Sequence, residues 1–267
     1  MNFHDLHYSG RPLLLPNAWD VPSALVFLAD GYPAIGTTSF GVAATCGRPD
    51  GARATREANL ALARALSALP CPVSVDVEDG YSDDPAEVAA YVAGLEAAGI
   101  NIEDSTGAGT LVSPWVHAAK ITAIKQRCPD LFVNARVDTY WLGRNATVGA
   151  TLERATRYVE AGADGVFVPG ATDPSVLRRL TARLPVPVNV LATPGRSLAD
   201  LAALGVRRVS TGSLPYRAAL HAALETANAV RDGRPTPPAT PYADMQAELV
   251  RHAEDRRPRA AIADQAG

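Results

Sequence analysis

Hydrophobic and polar positions in this chain follow two alternating rhythms. Short apolar runs rich in Val, Ile and Leu give way to longer stretches with apolar residues at helical spacing, and the alternation continues unbroken to Arg231. The short runs read as strands buried on both faces, and the longer stretches as amphipathic helices. Residues 13–15 open the series as a strand. Asn17 to Asp20 then lead into a capped helix over residues 21–29, which Gly31 ends. Residues 33–38 predict the second strand, 39–51 a long glycine-punctuated loop, and 55–69 a helix stopped by Pro70.

The third strand begins at Pro72 and ends in carboxylates, and Asp84-Pro85 opens a helix to about residue 98, with Gly99 as its terminator. Residues 100–103, 131–136, 165–168, 186–190 and 206–210 predict five more strands. Helices over about 114–127, 147–161, 174 onward, 197–204 and 214–231 follow them. The joints Glu96-Ala97-Ala98-Gly99-Ile100, Glu160-Ala161-Gly162-Ala163-Asp164 and Ala202-Ala203-Leu204-Gly205-Val206 repeat one helix-to-strand pattern. Eight strand-then-helix units predict an α/β fold of the (β/α)8 TIM-type barrel class over residues 1–231. No Gly-x-Gly-x-x-Gly follows the first strand, which argues against an open dinucleotide-binding sheet. Residues 232–267 read as a proline-rich linker, one further helix over 242–252, and an unstructured tail of about a dozen residues.

Composition narrows the class. With 267 residues, 47% of them hydrophobic, the chain has enough apolar surface for a large core. A net charge of -3 gives no basic footprint, so nucleic acid is not an expected partner. No run approaches a membrane span of about 20 apolar residues, and the N-terminus lacks the pattern of a signal peptide. Cys46, Cys71 and Cys128 are too few and too scattered for a disulfide frame or a zinc site. A cytoplasmic protein is the expectation.

Chemistry collects at the predicted strand ends, where barrels of this kind place their active sites. In Val75-Asp76-Val77-Glu78-Asp79 a buried strand turns acidic. Period-two alternation predicts Asp76 and Glu78 on one face, with Glu103 ending the next strand. Such carboxylates suit a divalent cation, although an acidic surface turn capping the next helix is the other reading. Arg136 ends the fifth strand and has the planar fork suited to a substrate carboxylate; it reads equally as an ion-pair partner of Asp138 or Glu103. Thr38, Ser39 and Phe40 offer hydroxyls and backbone N–H groups to an anionic oxygen. Asp50 reads as the shaper of its Arg-Pro-Asp-Gly turn, and Asn189 as a substrate contact or a partner for backbone groups. The five histidines fall in termini or helices, so none is expected to act as a catalytic base.

Several motifs together carry a resemblance. They are Leu15-Pro-Asn-Ala-Trp-Asp20, Gly36-Thr-Thr-Ser39 with Gly47-Arg-Pro-Asp-Gly51, Asp76-Val-Glu78, Ile102-Glu-Asp-Ser105 and Asn134-Ala-Arg136-Val-Asp138, followed by residues 161–170. Over about residues 12–230 the chain resembles the isocitrate lyase / phosphoenolpyruvate mutase superfamily. The resemblance implies a Mg2+-dependent barrel, with Mn2+ as an alternative ion, acting on a small 2-oxo-carboxylate through an enolpyruvate-type state. It implies Asp76 as direct metal ligand, with Glu78, Glu103 and Asp50 acting through water. It implies Thr38, Ser39 and Phe40 as the substrate loop and Arg136 as the substrate arginine. Relatives form dimers or tetramers in which a late helix is exchanged, so a homo-oligomer is expected.

The departures are as informative. The Lys-x-Cys-Gly-His segment of the isocitrate and methylisocitrate lyases is absent. The loop Ser105-Thr-Gly-Ala-Gly-Thr-Leu-Val-Ser113 is short and lacks the lysine of the mutases, and Val168-Pro169-Gly170 stands where they carry a histidine. Asp79-Gly-Tyr-Ser82 replaces a commoner Gly-Gly-Tyr-Gly and is expected to add a charge at the mouth. The resulting expectation is a lyase cleaving a C–C bond, in the manner of an oxaloacetate decarboxylase. Phosphonopyruvate hydrolase-like or mutase-like P–C chemistry is the first alternative, and a non-catalytic barrel the second.

Overall fold

A parallel sheet of nine strands, whose order is β1-β9-β8-β7-β6-β5-β4-β3-β2, forms the centre of the molecule. The computed structural model describes residues 2–255. The strands are β1 (Leu13–Leu15), β2 (Asn17–Ala18), β3 (Ile35–Thr37), β4 (Val73–Asp76), β5 (Gly99–Glu103), β6 (Phe132–Arg136), β7 (Gly165–Phe167), β8 (Val188–Leu191) and β9 (Arg208–Ser210). The two end strands of that order are neighbours in sequence, separated by Pro16. Leu13 pairs with Arg208 on one side and Asn17 with Gly36 on the other. Proline has no N–H to give a ladder, and the Pro16 carbonyl accepts instead from the Gly36 N–H at 2.8 Å. The eight expected strands are therefore all present, the first broken in two, and they close a nearly complete (β/α)8 barrel.

The floor of the barrel is covered by α1 (Phe3–Leu6), a single turn locked by a reciprocal capping box between Asn2 and Asp5. It is too short to show a helical period, so the pattern of apolar residues does not reveal it. Helices α2 (Val21–Ala29), α3 (Ser39–Thr45), α4 (Arg56–Leu66), α5 (Pro85–Ala93), α6 (Pro114–Arg127), α7 (Val148–Glu160), α8 (Pro174–Thr181), α9 (Leu198–Ala203) and α10 (Leu214–Arg231) follow the strands. The last helix, α11 (Tyr242–Asp255), returns to pack on α2. The expected unstructured tail lies outside the described residues.

Two expectations need correction. Residues 39–45 are helical rather than loop. Thr38 caps α3 through its hydroxyl, which accepts the Gly41 N–H at 3.4 Å. Gly41, which reads as loop punctuation, is there for packing: a Cβ would sit 2.6 Å from the Trp19 Cβ. The helix expected to reach residue 98 stops at Ala93 with Gly94 as its cap. Gly99 belongs to β5, where a Cβ would strike the Phe3 ring at 2.6 Å.

The core has two unlike parts. Val75, Ile100, Ile102, Val133, Val166 and Val190 face outward from the strands and are buried against the helices with Leu66, Ile121 and Leu177. Inside the barrel, Phe3, Leu6, Leu13, Leu15, Ala34 and Phe132 form an apolar floor. Above it the interior is polar: Ser74, Asn101, Asn134, Asn189, Arg208 and Ser210 are all buried. A buried aliphatic side chain contributes about 1.5–3 kcal/mol, and a neutral hydrogen bond about 1 kcal/mol net. The layer between strands and helices therefore holds the fold, and the polar interior does not exist for stability.

Candidate functional site

The C-terminal ends of the strands surround one cleft of about 270 Å³. Thr38, Ser39, Phe40, Asp50, Asp76 and Arg136 line it together. Its floor is made by Asn17, Asn101 and Ser210, and its apolar wall by Trp141, Phe167, Leu191 and Leu214. No histidine or cysteine is among the lining residues.

Asp76 is the last residue of β4 and is fixed from two directions. Its N–H donates to Thr37 Oγ1 at 2.9 Å, and its Oδ2 accepts the Ser39 N–H at 3.1 Å. The first turn of α3 thus points an amide at this carboxylate. Beyond Asp76 the strand does not continue. Glu78, Gly80 and Tyr81 have φ of 50°, 94° and 62°, so the period-two expectation placing Asp76 and Glu78 on one strand face is corrected. The turn carries Glu78 behind the cleft, where Oε1 accepts from Thr55 Oγ1 at 2.7 Å and Oε2 from the Arg53 N–H at 3.0 Å. Asp79, expected at the mouth, is buried instead. Its carboxylate is gripped by Arg53, and its carbonyl accepts from Lys120 Nζ at 2.8 Å.

Arg136 joins two strands' acids. Its Nη1 lies 2.7 Å from Glu103 Oε2 and its Nε 2.6 Å from Asp138 Oδ1. Of the two readings of this residue, the ion pairs are what the geometry contains, with both carboxylates at once. Arg136 nevertheless lines the cleft, and Nη2 is the part of its fork that neither pair uses. Asp138 is held in turn by Ser105 Oγ at 2.6 Å, and its N–H donates to Asp104, which Arg154 and Tyr158 secure at 2.6 and 2.7 Å.

Burial, and after it mutual repulsion, raises the carboxyl groups around this cation. Burial pushes the Asp50 carboxyl above its ordinary range, and Asp76 adds to the effect against the Ser39 hydroxyl and Arg136. Burial also raises Glu78; hydrogen bonds from Thr55 and Arg53 oppose this, while Asp50 and Asp76 reinforce it. Glu103 is pushed well up, first by burial, with Arg136 opposing and Asp138, Asp76 and Asp50 adding. For Arg136, burial works against the charge, but Glu103, Asp138 and Asp76 outweigh it and keep the guanidinium charged.

A hard dication beside Asp76 would relieve this crowding. Among the described residues, no three His, Cys, Asp or Glu side chains stand close enough to grip one metal directly. The donor set therefore fits only a hydrated divalent ion that touches few carboxylates. Asp76 and Asp50 would face it, with Glu78 and Glu103 one layer behind.

Asn189 is not brought to the wall of the cleft. It lies below, where its Nδ2 donates to Ser210 Oγ at 3.1 Å, in the polar layer. The floor residues Asn17, Asn101 and Ser210 were not singled out from the sequence. Counting back by two from Glu103 reaches Asn101, so alternation carries the signal on β5 alone. Over the cleft, the loops after β3 and β5 touch at Gly51 and Gly107.

Comparison with known proteins follows the same lines. A family model described as phosphoenolpyruvate phosphomutase matches residues 3–231. The chain is 62% identical over 250 residues to an uncharacterized protein of Mycobacterium tuberculosis (strain H37Rv), covering 94% of this chain and 96% of that protein. It is 32% identical over 242 residues to an oxaloacetate decarboxylase of Rhodopseudomonas palustris (strain HaA2), covering 84% and 79%. Among solved structures, a phosphonopyruvate hydrolase in complex with oxalate and Mg2+ superposes with a TM-score of 0.80 at 25% identity, covering 100% of each chain.

Proposed function

Because the chain belongs to the isocitrate lyase / phosphoenolpyruvate mutase superfamily, a family of lyases and mutases, we propose that it is a magnesium-dependent lyase cleaving a C–C bond of a small 2-oxo-carboxylate. The observation that carries this reading is the meeting of Asp76, Asp50 and Arg136 around one cleft with the buried carboxyl groups of Glu78 and Glu103 behind them. Asp76 would hold the ion directly, and Asp50, Glu78 and Glu103 through water. When bound, Mg2+ supplies Lewis-acid stabilisation for negative charge developing on a substrate oxygen.

The chain's own groups divide the remaining work. Thr37 and the Ser39 N–H fix the direction of the Asp76 carboxylate. Nη2 of Arg136 receives the substrate carboxylate while Glu103 and Asp138 hold the rest of the fork still, so little side-chain freedom is lost on binding. Thr38, Ser39 and Phe40 form the entry to α3, and the Phe40 N–H is a first-turn amide of the kind a helix leaves open for a substrate oxygen. Trp141, Phe167 and Leu191 keep one wall of the cleft dry. With no histidine or cysteine lining the cleft, the proton taken up by the enolate carbon falls to water, to Tyr81 or to a carboxyl group such as Asp50.

C–C rather than P–C cleavage is favoured by residues 105–113, the loop after β5, which carries no lysine or arginine. Phosphoryl transfer depends on cations clamping the migrating group. The likeness to an oxaloacetate decarboxylase supports the same choice and suggests a 2-oxo diacid. The exposed apolar residues Leu220, Leu224 and Val230 of α10 support a dimer or tetramer. No helix among the described residues is long and apolar enough to cross a membrane, and we infer a cytoplasmic enzyme.

The decisive assay is pyruvate release from oxaloacetate and related 2-oxo diacids, with Mg2+ and with EDTA. Turnover that requires the metal is expected. Phosphate release from phosphonopyruvate in its place would establish the P–C alternative. Metal-dependent thermal stabilisation with no turnover of any substrate would mean a binding barrel.

A further inference from the structure

Between the apolar floor and the cleft, the barrel interior holds a full positive charge. Arg208 on β9 is 1% exposed. Its Nε donates to Ser210 Oγ at 3.3 Å, and its Nη2 donates to Ser74 Oγ at 3.4 Å and Asn101 Oδ1 at 3.1 Å. All three acceptors are neutral. Nη1 is buried with no hydrogen-bond partner among the described residues, and none of their carboxylates forms an ion pair with this guanidinium.

This arrangement is unfavourable for stability, because desolvating a guanidinium without a counter-ion costs more than neutral acceptors return. An aliphatic residue of similar length would pack against Phe3 and Leu13 without that cost. The charge must therefore be weighed by what lies above it. Asn101 and Ser210 both form the floor of the cleft, and Ser74 stands two residues before Asp76 on β4. Burial pulls the Arg208 pKa down to about 9, and Asp76 is the group that works in the opposite direction. Below, His7 is lowered to about 3, first by burial and then by the Arg208 charge, so the field is felt on both sides.

We propose that Arg208 is a positioning residue that sets the charge balance of the cleft from beneath, its buried guanidinium weakening the hold on a lone dication and strengthening the hold on an anionic substrate. It acts through Asn101, Ser210 and Ser74 and touches neither substrate nor metal. The consequence is an order of events: metal alone binds loosely, and metal with a carboxylate substrate binds well. This rests on the reading of Asp76 as the metal-binding carboxylate.

Opposite signs make the test sharp. Mn2+ binding is measured by the loss of the free-ion electron paramagnetic resonance signal, and oxalate binding by calorimetry at saturating Mg2+. These are measured for the wild type, Arg208→Met, Arg208→Gln and Arg208→Lys, with circular dichroism to confirm the fold. Across one barrel layer of intermediate dielectric, loss of a unit charge is expected to tighten Mn2+ and weaken oxalate by about tenfold each. Arg208→Lys should stay near the wild type in both. A merely structural role would weaken both ligands together, and that result, or no change in either, overturns the proposal; should Arg208→Met fail to fold, Arg208→Gln decides. A wild type that binds no Mn2+ even with oxalate present overturns the reading of Asp76 and this proposal together, whereas wild-type binding with unmoved constants in the variants overturns this proposal alone.

Discussion

A Cβ added to Gly107 would stand 1.9 Å from the carbonyl oxygen of Gly51, so the loops after β3 and β5 meet backbone to backbone above the cleft. No side chain can be accommodated at that contact without moving one loop. Asp50 precedes Gly51 and lines the cleft, so its placement depends on the loop staying where it is. Gly107→Ala is expected to lower kcat/KM by roughly tenfold or more, since displacements near an ångström have effects of that order on positioned groups. The melting temperature should change little, because both loops lie at the surface. Steady-state kinetics alongside a thermal melt checks this, and unaltered kinetics would mean the contact has no bearing on the reaction.

Asp76→Asn keeps the shape that accepts the Ser39 N–H and removes the charge. Metal-dependent turnover should fall by at least about a hundredfold, with Mn2+ binding lost. The fold should survive, because the substitution also relieves the crowding that raises Asp50, Glu78 and Glu103. Retention of metal-stimulated activity would contradict the role given to Asp76.

Arg136 has a structural role in its two ion pairs and a proposed role in substrate binding, and two substitutions separate them. Arg136→Ala leaves Glu103 and Asp138 buried without their cation, a loss of about 3–5 kcal/mol at neutral pH. The deficit should shrink as pH falls, because each stranded carboxyl can then take up a proton. Arg136→Lys keeps the charge without the fork, so it should unfold less readily than Arg136→Ala yet still show a raised KM. Urea unfolding at pH 7.5 and 5.5 with kinetics of both variants tests this; an unchanged KM in the lysine variant would remove Arg136 from substrate recognition.

What the sequence makes legible follows from how the barrel is built. Its strands are buried on both faces, so each appears as an apolar run bounded by Gly or Pro, and all eight can be counted from the pattern. The break at Pro16 and the single turn of α1 escape, because elements of two to four residues carry no period. At the site, Asp76, Arg136 and the start of α3 stand at strand ends and are found there, whereas Asp50 is reached only through the resemblance carried by Gly47-Arg-Pro-Asp-Gly51. Glu78 is misjudged in direction because alternation holds only while the backbone stays extended. Arg208 is hidden for a different reason. Arg207 and Arg208 are adjacent and alike in sequence, and only the register of β9 against Leu13 and Asn189 sends one to solvent and the other into the barrel.

His117 on α6 offers a stability test remote from the cleft. It is 1% exposed, stacks edge-on against the Tyr158 ring at 4.6 Å, and neither of its ring nitrogens has a hydrogen-bond partner among the described residues. Burial, followed by the charges of Lys120 and Arg154, lowers its pKa from 6.5 to about 3. Between those values the unfolded chain binds a proton that the folded chain refuses. Its contribution to stability is therefore whole above pH 6.5 and declines as pH falls, by about 1.4 kcal/mol per unit, levelling off near 3. His7, lowered to about 3 by burial and Arg208, acts in the same direction. The raised carboxyls of Asp50, Glu78, Glu103 and Asp138 act oppositely, regaining stability on acidification. The whole-protein profile mixes these effects, so a single replacement is needed to isolate one. His117→Phe keeps the edge-on contact with Tyr158 and removes both the titration and the unpaired nitrogens. It should be at least as stable as the wild type at pH 7.5 and gain about 2 kcal/mol relative to it by pH 5. Denaturant unfolding of both proteins at the two pH values measures the difference, and parallel pH profiles would show that His117 is protonated in the folded state as readily as in the unfolded one.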